Sequence, residues 1–327
     1  MILKSFKMPS NKKKYKPVDL RKVTRYSIKK RPTKTKIKAF GRPVENLNGA
    51  DFFDSLPRFL KSADLIEFID LVVKARKHDF PFHLLLGAHV IKVGLSPILI
   101  DLMKNNIVTG VSFNCAGLIH DLELAFWGGT SEDVQAGLND GSFGMVKETG
   151  EYFGAIAKLA CEKKIGLGEA GGLFINQEKA KHRQLSVFAM AYSLGLPATI
   201  HIGIGTDTIS QHPEYDAACL GEGSHFDFRL LADICADINK GGVVANIGSA
   251  VILPEVFLKA LTVARNIHKG KNRLTTANFD MIMHYRPMVN IVSRPTSAGG
   301  KGFNFIGHHE IMIPLLAWGL KKKFKSK

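Results

Sequence analysis

Three apolar runs in this chain stop at small and polar residues and then resume with helical spacing. The first is His83-Leu84-Leu85-Leu86-Gly87-Ala88-His89, which leads through Gly94-Leu95-Ser96-Pro97 into Ile98–Met103. The second is Val111-Ser112-Phe113-Asn114-Cys115-Ala116-Gly117, followed by His120–Phe126. The third is Gly242–Ser249, followed by Leu253–Leu258. Parallel strands buried on both faces read as continuous apolar runs, and a helical crossover returns the chain to begin the next strand. Ligands of such sheets collect beyond the carboxyl ends of the strands, which is where these Gly, Ser, Asn, His and Asp residues fall.

The same reading extends along the chain. Ala50–Lys77 is predicted helical, with Phe52, Phe53, Leu56, Phe59 and Leu60 and then Leu65, Phe68, Ile69, Val72 and Val73 at three- and four-residue spacing. Residues 131–195 are the least strand-like part, with helices expected over Thr149–Lys163 and Gln177–Leu194. The glycines of Gly166–Gly172 predict a loop. Ala198–Ile204 reads as a strand ending at Asp207, and Asp227–Ile238 as a helix. Phe279–Tyr285, Met288–Ser293 and Lys301–Ile306 read as strands, and Glu310–Leu320 as a terminal helix. Alternation of this kind, without a repeat of about 20–50 residues, predicts a doubly wound, mostly parallel α/β sheet.

Charge changes the picture only at the ends. The net charge is +16, but residues 1–40 carry 15 Lys/Arg against the single acid Asp19, and residues 321–327 carry five Lys. The remainder, 41–320, has 25 Lys/Arg against 28 Asp/Glu, so the body is slightly acidic. The expected organisation is therefore a basic, partly disordered arm (1–48), one α/β domain (49–320) and a basic tail (321–327). The arm is suited to non-specific RNA contact. Cys115, Cys161, Cys219 and Cys235 show no CxxC spacing and read as reduced thiols, which fits the cytoplasm. The longest apolar region, Phe80–Leu102, is interrupted by His83, His89, Lys92 and Asp101, so no membrane span is expected.

Taken together, the strand ends resemble those of the deoxyhypusine synthase family. The family's Thr-Ala-Gly-Gly strand end is similar to Asn114-Cys115-Ala116-Gly117, and its Ser-Ser-Gly turn to Val93-Gly94-Leu95-Ser96. Its Leu-Thr-Asp-Gly-Ser turn is similar to Ile204–Thr208, and its Leu-Gly-Gly-Gly turn to Asn246-Ile247-Gly248-Ser249. Its Ala-Asp-Ala-Ser-Leu-Val-Phe-Pro-Leu-Leu is matched by Gly307–Leu316. The blocks agree in order over roughly residues 80–320. The resemblance implies a Rossmann-like NAD-binding fold, a homotetramer, and transfer of an aminobutyl-type group from a polyamine. This chain departs from the family's Trp-Gly-Lys, whose lysine forms a covalent imine: His284–Asn290 contains no lysine. The insertion that precedes that motif in the family is missing too. The expectation is the family scaffold with altered amine chemistry.

Candidate residues follow from both readings. Gly94, Ser96, Asn114, Ala116, Gly117, Asp207, Gly248 and Ser249 are expected at NAD, because a pyrophosphate needs backbone N–H groups approached past small side chains. No GxGxxG fingerprint is present in the first βαβ unit, so an ordinary dehydrogenase is not indicated. His120, Asp121, His308 and Glu310 are the expected catalytic set. Asp121 and Glu310 would hold a cationic amine, and His120 or His308 would move protons. Asp121 and Glu310 also suit the first turns of helices, and of His308 and His309 at most one faces the site. Two other classes stay open: a nucleotide-binding regulatory or RNA-associated protein without turnover, and a metal-assisted hydrolase. No HExxH-type ligand spacing supports the latter.

Overall fold

Parallel pairing joins six strands: β1 (Phe82–Leu86), β2 (Gly110–Asn114), β3 (Ala198–His201), β4 (Val243–Ile247), β5 (Thr275–Asp280) and β6 (Lys301–Ile306). Their order is β3-β2-β1-β4-β5-β6, the doubly wound arrangement. The structure, a computed structural model, describes residues 52–269 and 272–325. The expected basic arm lies outside the described residues.

The helices before β2 are α1 (Phe52–Ser55), α2 (Leu60–Lys77), α3 (His89–Lys92) and α4 (Ser96–Lys104). Between β2 and β3 run α5 (Cys115–Trp127), α6 (Val134–Asp140), α7 (Lys147–Lys163), α8 (Leu167–Gln177) and α9 (Val187–Ser193). The rest are α10 (Ala217–Gly241), α11 (Ile252–Ile267), α12 (Tyr285–Pro287) and α13 (His309–Lys325). As expected, Leu65, Phe68, Ile69, Val72 and Val73 form the buried stripe of α2. Pro57 separates α1 from α2, because proline disfavours helical backbone in the residue before it.

Five segments differ from expectation. Of the helix expected over Gln177–Leu194 only Val187–Ser193 forms an α-helix of its own, because α8 ends at Gln177 and a 3-10 turn at Arg183–Leu185 intervenes. Gly166–Gly172 opens α8 instead of forming a loop. Its glycines serve close packing: a Cβ on Gly168 would strike the Ala198 carbonyl, and one on Gly172 the Phe188 carbonyl. Met288–Ser293 is a π-helical turn, since a short apolar run has no period that separates strand from helix. The strand expected at Phe279–Tyr285 ends at Asp280, where its pairing with β6 stops. Residues 321–325 continue α13, and Lys321 and Lys323 pair with Asp101 (2.6 Å) and Asp70 (2.9 Å).

The two faces of the sheet differ in kind. One presents Phe82, Leu84, Leu86, Val111, Phe113, Ala245, Ala277, Phe279, Phe303 and Phe305 to a core shared with α2, α4, α5 and α13. The other, under α10 and α11, presents a row in strict register: Thr199, Ser112, Leu85, Asn246, Asn278 and Asn304. The row is hydrogen-bonded on both sides of Leu85. Asn246 Nδ2 donates to Asn278 Oδ1 (2.8 Å), and Asn278 Nδ2 donates to Asn304 Oδ1 (2.9 Å). On the other side His83 Nε2, Ser112 Oγ, Thr199 Oγ1 and His201 Nε2 form a chain with links of 2.8, 2.6 and 3.0 Å. Burial depresses both imidazoles to about 3, so His83 and His201 are neutral.

Candidate functional site

In this strand order the chain reverses direction between β1 and β4, the switch point beyond whose carboxyl ends sheets of this kind bind their ligands. Two glycines bring these ends together. A Cβ on Gly87 would run into the Gly248 carbonyl, and one on Gly248 would lie 2.8 Å from His309 Cε1. Gly248 also has φ +67°, a backbone region that side chains disfavour. Both strand ends are therefore bare backbone.

Polar side chains around this edge lack partners. Six buried side-chain atoms among the described residues have no hydrogen bond, and five of them lie here: Ser96 Oγ, Asn114 Oδ1, Asn246 Oδ1, Asp280 Oδ2 and His309 Nδ1. Such orphans are uncommon in folded proteins, and each leaves a hydrogen-bonding position that no group of this chain fills. His309 is buried, and its Nε2 donates to the Phe279 carbonyl (3.3 Å), which leaves Nδ1 as an acceptor. Burial lowers its pKa, against the opposing pull of Asp280, whose Oδ1 lies 4.0 Å from Nε2. The His89 ring stands 5.6 Å from that of His309, and His284 lies 3.9 Å from Asp280. Apart from the Ser96 hydroxyl, the other four orphans are acceptors, so this edge lacks hydroxyl and N–H donors. Helix α5 starts directly at the end of β2, and the Asn114 side chain does not cap it. Its first N–H groups accordingly face the same edge and suit an anion.

A cavity of about 510 Å³ flanks α5, lined by Lys92, Ala116, His120, Trp127, Glu132 and Phe143 among others. Trp127 is half exposed in it and stacks on Tyr152 (5.5 Å, 22°). His120 and Glu123, three residues apart on α5, share this side of the helix. His120 Nδ1 lies 2.7 Å from Thr130 Oγ1, which in turn donates to Glu123 Oε2. Thr149 Oγ1 donates to Glu123 Oε1 (3.0 Å). Burial works to raise the Glu123 pKa, but the hydrogen bonds from Thr130 and Thr149 and the nearby His120 ring outweigh it and hold the group ionised.

The expected residues divide accordingly. Gly248, Ser249, Ser96 and Asn114 stand at the sheet edge, and Ala116 and His120 line the cavity. Gly94 is an exposed turn at φ +78° between α3 and α4. Gly117 is used internally, because a Cβ there would strike the Phe113 ring. Asp207 Oδ2 accepts from Gly203 N (2.6 Å) and bonds the buried Cys115 thiol.

The other three catalytic expectations need correction. Asp121 is fully buried on the far side of α5. It accepts from Ser186 Oγ, Val187 N (2.8 Å) and Phe188 N, so it anchors the start of α9 and cannot reach a ligand. Burial raises its pKa to about 6 against those bonds. His308 is 65% exposed and pairs with Glu310, itself 48% exposed, at 3.8 Å. Both point to solvent, and His309 is the inward member of the pair. Sequence reasoning also missed Asp280, Asn246, Glu123 and Thr130. Of these, only Glu123 carried a signal, its three-residue spacing from His120. Among the described residues no group of three or more His, Cys, Asp or Glu is placed to hold a metal ion. No helix among them is long and apolar enough to cross a membrane.

No protein-family model and no curated protein matches this chain. Solved structures do resemble it. AgrE in ternary complex with ornithine and NAD+ aligns at a TM-score of 0.51 and 12% identity over 86% of this chain. An AgrE mutant with L-arginine aligns at the same TM-score and identity over the same share. This chain spans 34% of the length of AgrE. A putative deoxyhypusine synthase from Entamoeba histolytica aligns over 79% of this chain and 87% of its own, at 11% identity and a TM-score of 0.45. That last likeness is too weak to add to the argument. The AgrE likeness, with the strand order, establishes a Rossmann-like α/β fold.

Proposed function

We propose that this chain binds NAD across the carboxyl ends of β1 and β4 and oxidises a primary amine of polyamine type held in the cavity along α5. The observation that carries the reading is the set of five orphaned polar atoms around the Gly87–Gly248 cradle. Two ribose diols and a carboxamide offer the donors that edge lacks, and the start of α5 suits the pyrophosphate. Bound NAD supplies a hydride acceptor. The chain's own part is to position the amine and to take its proton. Glu123 and Glu132 give the cavity an acidic side, Trp127 and Phe143 cover an aliphatic chain, and His120 receives the ammonium proton. An aminobutyl-type transfer would use the oxidised amine, with the hydride returned afterwards. Exposed Ile282, Met283, Tyr285, Ile306 and Ile311 beside the strand ends support self-association, in line with the tetramer that the family resemblance implies.

Calorimetric titration of NAD into the full chain, followed by NADH formation with putrescine or spermidine, tests both halves. Saturable NAD binding and amine-dependent NADH are expected. Binding without turnover on any amine would favour a non-catalytic nucleotide-binding protein, and no binding would overturn the site itself.

A further inference from the structure

The hydrogen bonds behind His120 fix which of its nitrogens carries the proton. Glu123 is ionised and can only accept. Thr130 Oγ1 must therefore spend its single proton on Glu123 Oε2, which leaves that oxygen only lone pairs. The 2.7 Å contact between Thr130 Oγ1 and His120 Nδ1 then needs its proton from the imidazole. Neutral His120 is the Nδ1–H form, and its Nε2 holds a lone pair. Among the described residues nothing hydrogen-bonds that Nε2, while the side chain lines the 510 Å³ cavity. The arrangement repeats the logic of a carboxylate-oriented histidine, with a hydroxyl interposed between acid and ring.

We propose that Thr130 and Glu123 are positioning residues that hold His120 as a general base facing the cavity, which takes ligands that surrender a proton from nitrogen or oxygen. The substrate class rests on the amine reading above; the base itself does not. In the step, an ammonium proton moves to His120 Nε2, leaving a neutral amine with its electron pair and an imidazolium. Glu123, 3.8 Å from Nδ1, faces the new charge and stays ionised throughout. Lys92 and Glu132 are the other charged groups lining the cavity, and they oppose and favour the imidazolium respectively. Thr149 keeps the second Glu123 oxygen in place.

The test uses full-length protein labelled with 15N-histidine, read by two-bond 1H–15N correlation at a pH where histidine is neutral and assigned with His120→Gln. Wild type and Thr130→Ser are expected to show the Nδ1–H form of His120. Thr130→Val, which cannot accept from Nδ1, is expected to move the ring toward the Nε2–H form. An Nε2–H form in wild type, or no change in Thr130→Val, overturns the proposal. In amine-dependent NADH formation, Thr130→Val and Glu123→Gln are expected to lower kcat about tenfold or more with little change in KM, and Thr130→Ser to retain it. In Glu123→Gln the acid limb of the pH profile is expected to move to lower pH, because the variant lacks the negative charge that stabilises the His120 imidazolium. A limb unmoved in that variant counts against the relay. The expected tautomer together with silence on every amine would support the base and retire the amine reading.

Discussion

The two faces of the sheet share the same six strands but obey opposite rules. Under α2 and α13 the contacts are aromatic and aliphatic: Phe68 alone meets the rings of Phe82, Phe279, Phe303 and Phe305 at 5.7–6.2 Å. Under α10 and α11 each strand except β1 contributes a polar residue to one register row, and the row is broken only at Leu85. Asn246, beside that break, keeps an unpaired Oδ1. An apolar face tolerates any register that keeps it buried, whereas a hydrogen-bonded row is satisfied in only one. The difference teaches that one face supplies stability, and the other fixes where the strand ends, and with them the site, must lie.

The sharpest way to break the comparison is to damage each face once. Phe68→Ala removes a fully buried ring and is expected to cost about 3–5 kcal/mol, read as a lower urea midpoint. Thr199→Val cuts the polar chain and leaves Ser112 and His201 each a partner short. About 1–3 kcal/mol is expected from the same measurement. Equal losses would mean the polar row carries as much of the fold as the aromatic cluster. At the site, Gly248→Ala is expected to weaken NAD binding by about tenfold or more, or about 1.4 kcal/mol, because the added methyl meets His309 and the backbone stands at positive φ.

Much of this was legible in the sequence, and the rest was hidden for identifiable reasons. The runs at Leu84–Leu86, Val111–Phe113 and Val243–Ile247 announced buried parallel strands, even with Ser112 and Asn246 inside them. That these two residues share a row with Thr199, Asn278 and Asn304 depends on pairings between distant segments, which no local pattern carries. The alternation of an extended segment said that only one of His308 and His309 faces inward. Which one depends on where α13 begins, and it begins at His309. His120 and Asp121 are neighbours on α5 that point to different surroundings. The packing of α9 against one side of α5 decided which was spent on structure.

Acid separates the two faces further, since His83 and His201 both belong to the polar one. Their folded pKa values of about 3 lie below the 6.5 of an unfolded chain. Below pH 6.5 the unfolded chain therefore binds protons that the folded chain refuses, and their contribution to stability falls as pH drops toward 3. His83→Gln keeps a polar group against Ser112 and removes one of the two titrations. Its urea midpoint is expected to fall less steeply than that of wild type between pH 7 and 5. Parallel declines would mean that His83 is not buried as a neutral ring.

The smallest effect lies at the β3 edge, where α10 supplies the polar cover that the open side of the strand needs. Asp227 Oδ2 accepts from Ile200 N (2.8 Å) on β3 and from Gly168 N (3.0 Å) at the start of α8. Burial nevertheless wins over these bonds and raises its pKa to about 8. The sign is opposite to that of the histidines: the unfolded carboxyl ionises near 3.8, so the folded state holds the extra proton between there and about 8. Stability from this group falls as pH rises across that interval, and levels off above it. Asp227→Asn retains an oxygen for the two N–H donors and cannot titrate. Between pH 6.5 and 8 the midpoint of wild type is expected to decline relative to that of the variant. A constant difference between the two over this range would place Asp227 in the fold as a permanent carboxylate, and the β3 edge would then be held by charge.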